Sequence, residues 1–354
     1  MEFDYFAKKY RYFTAPSFNI MIEGTDITRE DMVITSVKVD TSLDKADSFS
    51  FSVSNAFDPV KKEFKWLDNY LTIGKNIQID LGYADVLETV FWGYITSVRY
   101  ELTPSEQTDI VVSGLDYSFK LMKGIKSRVF SKVKDSDAAK QVISAAGLKA
   151  IVDNTSVEHD LIQQVGITDY RFLLWLAGRN GYEFFVSGKE VYFRKPHQDK
   201  TPIITLTWGQ NILSLYKEDD LTDQLGEVKV RSWDPKTKKA LVGKAESISK
   251  IDSGQDGKTI LEKMLGNVEE NYASEAKTQQ QADIEANAIQ NKSAMNLVTG
   301  EATCQGIPEI MAGKYVELAG LGPKLNKVYY ITSACHNIDD SGYTTTLILG
   351  GNAI

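Results

Sequence analysis

The stretch Gly74-Lys75-Asn76-Ile77-Gln78-Ile79 has a counterpart in Gly313-Lys314-Tyr315-Val316-Glu317-Leu318. Downstream of each stretch, Tyr94-Ile95-Thr96-Ser97 recurs unchanged as Tyr330-Ile331-Thr332-Ser333. One short identity arises easily by chance, but two blocks in the same order with similar spacing do not. The sequence therefore predicts an internal repeat, a feature that decides the architecture of a whole chain.

Further blocks extend both copies, which we name the first repeat and the second repeat. Thr108–Val112 returns as Thr345–Leu349. Upstream, three blocks of the first repeat match three of the second in order: Ile34–Val37 with Ile212–Leu215, Ser50–Val53 with Val228–Val230, and Asp58-Pro59 with Asp234-Pro235.

The repeated blocks have the pattern of β-strands. Ile77, Ile79 and Leu81 alternate with polar residues, which is the two-residue period of a strand with one buried face. The other blocks are short, rich in β-branched and aromatic residues, and bounded by turn residues. Each repeat is therefore predicted to be a small all-β unit, a barrel or a sandwich. A tube-like barrel is preferred, because closure removes the exposed edges that invite aggregation.

Composition excludes several classes of protein. A chain of 354 residues with 42% hydrophobic residues predicts two or three domains with real cores. The net charge of -8 argues against direct nucleic-acid recognition and against an anionic membrane surface. The longest central apolar run, Phe172–Ala177, is far shorter than the roughly 20 residues that span a bilayer. Met1–Tyr5 lacks the features of a signal peptide, so a soluble chain made in the cytoplasm is expected.

An α+β module is predicted between the repeats. Asp135-Ser136 begins a predicted helix that ends at Gly147, and Thr168-Asp169 begins a second that ends at Gly181. Residues 182–194 then predict a hairpin. The aromatic and aliphatic stripe of the second helix would suit a ligand pocket, but packing on this small sheet is the favoured interpretation.

Two segments lie outside the repeat pattern. Residues 1–17 are aromatic and basic, and predict either an arm that docks on a neighbouring subunit or a strand on their own barrel. An insertion follows Asp234-Pro235, and its Gly- and Asp-rich start at 249–259 predicts a flexible turn. A later helix, expected on a partner or on the barrel exterior, has one narrow apolar face: Ala282, Ala286, Ile289 and Ser293.

The predicted fold class is mainly β with α+β insertions. Two tandem tube-like barrels flank the module, and a helical insertion interrupts the second barrel. The predicted segments are an N-terminal arm (1–17), the first barrel (18–125), the module (126–200), the second barrel (201–245 and 295–354) and the inserted loop and helix (246–294).

Residues that carry catalysis are present without the required spacings. Gly254-Gln255-Asp256-Gly257-Lys258-Thr259 has two residues between its glycines, whereas a phosphate-binding loop has four. The acidic pairs occur in turn-like contexts and are interpreted as solvated: Asp219-Asp220, Glu269-Glu270 and Asp339-Asp340. The sequence therefore predicts no catalytic residue and no cofactor site.

Metal-ligating residues are also few. His159, His197 and His336 lie far apart and lack the helical pairing that suits a metal ion. Cys304 and Cys335 are too few for a four-thiolate zinc site, and two reduced, packed cysteines are favoured over a cross-strand bridge. No metal site is predicted, and interface residues are left unassigned.

Several stretches resemble a known family, the phage late control protein D family. These proteins are similar in architecture to the phage T4 baseplate hub and to the N-terminal part of the type VI secretion spike protein. The resemblance covers residues 18–352 and is carried by Asp169–Ala177 with Gly181–Phe184, by Gly306–Ile310 with Gly313-Lys314, and by Tyr329–Thr332 through His336 to Gly342–Thr345.

The resemblance implies a structural baseplate hub of a contractile tail or injection system, with no catalysis. Three chains would supply six barrels, so that a homotrimer presents a pseudo-six-fold ring to a six-fold inner tube and a three-fold end to a spike. Because the chain ends at Ile354 without a needle, the spike is expected to be a separate protein. Wedge proteins of the baseplate and a tape-measure protein or cargo in the channel are further expected partners.

Two alternatives remain open on sequence. One is a tail-associated peptidoglycan hydrolase, which would show wall-degrading activity that single carboxylate changes abolish. The other is a binding module unrelated to tails, which would not bind the tube and spike proteins encoded nearby.

Overall fold

The computed structural model describes residues 3–58, 60–101, 109–234 and 237–354. Strands make up 47% of the described residues and helices 19%, which confirms the mainly β fold class. Met1 and Glu2 of the N-terminal stretch, and Pro59, Thr108 and Pro235 of the matched blocks, lie outside the described residues.

A short helix and nine strands precede the module. Helix α1 spans Phe3–Lys9. The strands are β1 (Pro16–Ile22), β2 (Thr25–Asp26), β3 (Val33–Ser42), β4 (Ser48–Ser54), β5 (Phe57–Asp58), β6 (Glu63–Phe64), β7 (Asn76–Tyr83), β8 (Val86–Glu101) and β9 (Asp109–Asp116). In β7 the alternation has the expected result, since Ile77, Ile79 and Leu81 are buried while Gln78 and Asp80 are half-buried.

The module and the second repeat complete the chain. Helix α2 (Phe119–Met122) leads into the module. The module contains β10 (Lys126–Lys134), α3 (Asp135–Ala145), β11 (Lys149–Val152), β12 (Glu158–Ile167), α4 (Asp169–Asn180), β13 (Glu183–Ser187) and β14 (Glu190–Arg194). After it follow β15 (Ile204–Thr207), β16 (Ile212–Asp219), β17 (Glu227–Asp234), β18 (Lys239–Lys244), α5 (Gly257–Leu265), β19 (Glu269–Ala273), α6 (Gln279–Ala294), β20 (Val298–Gln305), β21 (Tyr315–Ala319), β22 (Val328–Asp339) and β23 (Gly342–Gly351).

The two repeats have the same strand order within one 13-stranded sheet. The first runs β3-β4-β9-β8-β7-β1, and the second runs β16-β20-β23-β22-β21-β15. The outermost strands differ in direction, because β1 pairs antiparallel with β7 whereas β15 pairs parallel with β21. Closure of either repeat into a barrel stays a prediction.

The matched blocks occupy equivalent positions. Gly74 N–H donates to Ile95 O at 2.7 Å, and Gly313 N–H donates to Ile331 O at 2.8 Å. The ladder of β8 with β9 shifts register between Ile95 and Ser97, and that of β22 with β23 shifts between Ile331 and Ser333. A second shared irregularity lies between Ile34 and Ser36 in β3 and between Ile212 and Ser214 in β16. The internal repeat is therefore real at the level of single hydrogen bonds.

Two parts of the sequence alignment are wrong. The third block slips by two residues, because Leu347 is equivalent to Val112 through their partners Ala334 and Val98, not to Ile110. A slip of two residues keeps the same strand face buried, so the hydrophobic pattern does not reveal it. The counterpart of β4 is β20, since both pair beside the shared bulge, whereas Val228–Val230 lies in a separate sheet.

The segment 220–297 between β16 and β20, which we name the insert, forms its own layer. Its sheet has the order β18-β17-β19, and α6 packs on β17 and β18. The buried side chains Ala282 and Ala286 of α6 contact Val228 and Val230 of this sheet. The predicted helix is thus confirmed, but it covers the insert rather than a partner or the barrel exterior.

Local signals predicted α3 and α4 close to their observed bounds, but they did not predict α1, α2 or α5. Thr168 caps α4 by accepting from Arg171 N–H, and Gly181 ends this helix with a φ of 63°. The stretch expected to be a flexible turn instead contains the start of α5, where Asp256 accepts from Thr259 N–H at 2.8 Å. An acidic N-cap before a helix explains this change, because it satisfies an otherwise unpaired backbone donor.

One hydrophobic core runs through both repeats, and the module has a core of its own. Phe51 and Ile79 of the first repeat belong to the same cluster as Leu318 and Leu347 of the second. The predicted N-terminal arm or strand is instead α1 followed by a turn, and its Phe6 and Tyr10 are fully buried in this shared core. The N-terminus therefore joins the repeats of its own chain.

Candidate assembly interface

The repeats meet edge to edge through β3 and β22. Residues 37–42 of β3 pair antiparallel with residues 333–338 of β22. Ser333 Oγ donates to Thr41 O at 2.8 Å, and Leu43 N–H donates to Thr332 O at 3.1 Å. Val37 and Val39 are fully buried at this contact. An edge of one repeat and a long strand of the other thus form a continuous sheet.

His336 lies inside this junction and has a structural role. Its Nδ1 lies 2.9 Å from Tyr343 Oη and 3.0 Å from Thr345 Oγ1. Burial lowers the pKa of His336 to about 4, so the ring is neutral at physiological pH. A neutral, fully buried imidazole that bonds to two hydroxyl groups fixes the strands rather than exchanging protons with solvent.

The N-terminal helix ties the outer ends of the two repeats together. Lys9 Nζ lies 2.7 Å from Glu309 Oε1, and Tyr10 Oη donates to the same oxygen at 2.9 Å. Tyr83 Oη of β7 donates to Gly306 O at 3.0 Å beside them. Burial and the Glu309 carboxylate raise the pKa of Tyr10, which keeps its hydroxyl a donor.

The module docks on the second repeat through a largely buried ionic contact. Glu183 of β13 accepts from Tyr330 Oη and pairs with Arg194 of β14, with Arg194 Nε 3.1 Å from Glu183 Oε2. Arg194 Nη2 then donates to Gly313 O at 3.0 Å. Burial raises the pKa of Glu183 in spite of the guanidinium, because desolvation opposes its charge.

His197 completes this contact. Its Nδ1 is hydrogen-bonded to Tyr315 Oη, and its ring packs against Tyr330 with centroids 4.8 Å apart. Burial, together with the charges of Lys200 and Arg194, lowers the pKa of His197 to about 4. The histidine is therefore a neutral packing partner of the second repeat.

A buried pair of carboxyl groups faces the module from the first repeat. Asp47 N–H donates to Asp116 Oδ2 at 2.8 Å, and Ser42 N–H donates to Asp47 Oδ1 at 2.8 Å. Burial raises the pKa of Asp116 to about 6, and burial together with Asp116 raises that of Asp47 well above its usual range. Burial and the nearby carboxyl groups also raise the pKa of Tyr170 in α4 to about 12.

Two stretches of the large sheet keep an unpaired edge among the described residues. The pairing of β7 with β8 ends at Tyr94, whereas β8 continues to Glu101. Strand β16 pairs with β20 along one edge, and the structure describes no strand along its other edge. Large side chains are exposed on both stretches: Tyr100 (47%), Leu213 (60%) and Tyr216 (62%). Unpaired backbone groups of this kind recruit further strands.

A groove of about 910 Å³ separates the module from the insert. Acidic side chains from both walls line it, among them Glu158, Glu275 and Glu285. Arg179 stacks on Trp175 at 4.1 Å in the same groove and is paired with Asp135. In the same groove Ser274 Oγ donates to Glu285. Several polar side chains of the groove are therefore hydrogen-bonded to one another.

The residues that the sequence analysis considered for chemistry do not converge. Cys304 is buried, Cys335 is half-buried, and both are free thiols, which confirms the favoured prediction. Asp219 ends β16 and pairs with Lys217, while Asp339 accepts from Ser341 N–H at 2.8 Å in a turn. The turn-like context expected for Glu269-Glu270 is wrong, since this pair begins β19 beside Lys229.

Sequence reasoning missed the residues that hold the parts together. Glu183, Arg194, Asp47 and Asp116 were not singled out, because no local motif marks a contact between distant segments. Over the described residues, no three His, Cys, Asp and Glu side chains are grouped to hold a metal ion. No helix in the described ranges has the length and apolarity needed to cross a bilayer.

The fold is shared with proteins of phage tails and of a secretion system. It matches the 43 kDa tail protein of prophage MuSo2 from Shewanella oneidensis with a TM-score of 0.72 and 17% identity, covering 95% of this chain and 98% of that one. A tail protein from Neisseria meningitidis MC58 gives a TM-score of 0.69 at 15% identity, with 95% and 96% covered. A type VI secretion component from E. coli gives 0.59 at 10% identity, with 94% and 77% covered.

The predicted likeness to tail proteins is therefore confirmed for the fold. The chain belongs to the family described as the Alg8 N-terminal domain, whose model matches residues 13–340. No curated protein sequence matches the chain.

Proposed function

We propose that this protein is a structural hub of a contractile tail or contractile injection system, of the late control protein D type. Three copies form a ring that joins a six-fold inner tube to a three-fold spike around a central channel. The observation that carries the proposal is the repeated strand order, since one chain contributes two equivalent sheet units.

The likeness to tail proteins supports this role. The neighbours with matching folds are tail proteins and a component of a type VI secretion system that is structurally similar to the T4 tail proteins gp27 and gp5. Proteins that adapt six-fold to three-fold symmetry need two like units per chain. This chain also carries unlike attachments, because the insert belongs to the second repeat alone.

The proposed partners follow from this geometry. They are two further copies of the chain, the inner tube protein, a separate spike protein and wedge proteins of the baseplate, with a tape-measure protein or cargo in the channel. In the proposed assembly the large sheet forms the ring, and the module and the insert lie on its outside. No catalytic step is part of the proposal, and the histidines His197 and His336 have pKa values lowered by burial to about 4.

The test is the assembly state of the full chain. Size-exclusion chromatography with light scattering should give a mass of three chains, and electron microscopy should show rings that cap tubes of the tube protein from the same locus. A monomer at every concentration, without binding to tube or spike protein, would refute the hub. Wall-degrading activity lost on single carboxylate changes would instead favour the hydrolase.

A further inference from the structure

The junction inside the chain has two unused counterparts. At the junction, β3 of the first repeat pairs with the second half of β22. By the shared bulges, β16 is equivalent to β3, and β8 is equivalent to β22. Within the part of the chain that the structure describes, the second repeat therefore carries a copy of the β3 edge with no strand beside it, and the first repeat carries a copy of the β22 edge with no strand beside it.

Both counterparts have the exposure expected of a missing neighbour. Val37 and Val39 in β3 are fully buried, whereas their equivalents Leu215 and Lys217 in β16 are half-buried. His336 in β22 is fully buried, whereas its equivalent Tyr100 in β8 is 47% exposed. The same positions on the same backbone thus differ in burial, and among the described residues a strand lies beside the buried set and not beside the exposed set.

We propose that β16 of one copy pairs antiparallel with residues 97–101 of β8 in a second copy, and so continues the large sheet from chain to chain. This inference rests on the proposed trimeric hub and assigns its subunit contact. The occupant is a second copy of this chain, because the contact reproduces one that the chain already makes between its own repeats. Edge strands gain most of their pairing energy from backbone hydrogen bonds, which do not depend on sequence.

The register follows from the junction. Cys335 lies opposite Asp40, and these positions correspond to Arg99 in β8 and Glu218 in β16. The contact between copies therefore places a guanidinium opposite a carboxylate. Opposite charges directly across an antiparallel pair stabilise it, and like charges destabilise it.

A second pair supports the same register. His336 lies opposite Val39, and these positions correspond to Tyr100 and Lys217. An ammonium group beside a tyrosine ring is attracted by the ring face. Among the described residues Arg99 pairs with Glu101, at 2.9 Å and largely in solvent, so little energy opposes an exchange of partners.

The contact joins unlike surfaces, so it closes into a ring or continues into a filament. A closed trimer contains six similar strand-to-strand contacts around the ring. Three of them lie within chains and alternate with three that lie between chains. The number of chains that become covalently joined therefore reports closure as well as contact.

The first experiment is a cysteine pair. The full-length variant Arg99→Cys/Glu218→Cys should, on mild oxidation, give disulfide-joined species of two and three chains and none larger. Each single variant should stay uncrosslinked, which controls for Cys304 and Cys335. A matched pair two residues out of register on the same strand face, Arg99→Cys/Tyr216→Cys, should crosslink at least tenfold less, because the Cα atoms are then too far apart.

The second experiment exchanges the charges. Arg99→Glu and Glu218→Arg should each weaken trimer formation about tenfold, and the double exchange should restore most of the affinity. Unfolding temperatures close to the wild type would show that these exposed positions leave the fold intact.

The outcomes separate the two proposals. Trimers that crosslink at the paired cysteines and recover on charge exchange support both. Trimers without crosslinking or rescue overturn the β16–β8 contact but leave the hub in place. Crosslinked species that grow past three chains overturn the closed ring, and a chain that never forms trimers, even with tube and spike proteins, overturns the contact and the hub together.

Discussion

The turns at Gly74 and Gly313, which we name the glycine corners of the first and second repeats, have the same backbone conformation but different surroundings. Gly74 has a φ of 92°, and a Cβ added there would meet nothing within 4 Å. Gly313 has a φ of 81°, but a Cβ there would lie 2.8 Å from Arg194 Nη2. The second corner is thus held by the module through Glu183 and Arg194, whereas no described atom lies within 4 Å of the same side-chain position in the first corner.

The difference shows how one backbone serves two roles. Bulges and turn hydrogen bonds recur in both repeats because they fix the curvature and register of the sheet. Side chains outside those positions have diverged, so each repeat carries its own attachments. A ring built from both would alternate corners that are supported by the module with corners that stay open.

Among the substitutions that test this difference between the corners, removal of Arg194 should have the largest effect on the free energy of unfolding. Arg194→Ala leaves Glu183 buried without its cation, and we expect the free energy of unfolding to fall by about 3 kcal/mol. Chemical unfolding of the full chain measures the loss. The matched control is Lys149→Ala, which removes the exposed Lys149–Glu190 pair of the same module and should cost much less, because solvent screens exposed ion pairs. Equal losses would mean that the module does not hold this corner.

Substitution of Gly74 or Gly313 should have the next largest effect on the free energy of unfolding. Both positions have positive φ, so alanine is strained at either one, by about 1 kcal/mol at Gly74. Gly313→Ala should cost about 2 kcal/mol, because the new methyl group also displaces Arg194. The additional cost of Gly313→Ala over Gly74→Ala should disappear when residue 194 is already alanine, as a double-mutant cycle would show. Equal costs in the wild-type background would contradict the proposed difference between the corners.

Much of the fold could be predicted from local signals. The alternation around Ile79, the cap at Thr168 and the stop at Gly181 identify their elements without tertiary information. The entry point of the insert could not be predicted, because Val228 and Val230 alternate just as a strand of the repeat does. A hairpin interrupted between its two strands leaves no mark in a pattern of short strands.

The contacts of the candidate site were beyond sequence reasoning for a different reason. Asp47 and Asp116, or Arg194 and Gly313, meet only when separate segments pack together. Nothing in their immediate neighbours distinguishes them from solvated residues. The repeat helps only once the junction is known, because equivalence relates Arg99 to Cys335 and Glu218 to Asp40, and it is the structure that places Cys335 opposite Asp40.

The smallest effect should come from the buried carboxyl pair, which is a feature of the first repeat. Folding raises the pKa of Asp116 to about 6 and that of Asp47 well above its usual range, so the folded protein binds more protons than the unfolded chain. Stability from this pair is therefore complete at acidic pH and is lost as pH rises from about 4 through 6.

Asp47→Asn removes one of the two charges while its side-chain oxygen can still accept from Ser42 N–H. We expect the variant to be more stable than the wild type by about 1 kcal/mol at pH 7.5 and not at pH 4. Unfolding free energies measured from pH 4 to 7.5 test this, with the exposed Asp44→Asn as control. Since His197 and His336 are unchanged in all three proteins, their titration cancels, and a variant less stable at pH 7.5 would show that Asp47 is bound as a charged group.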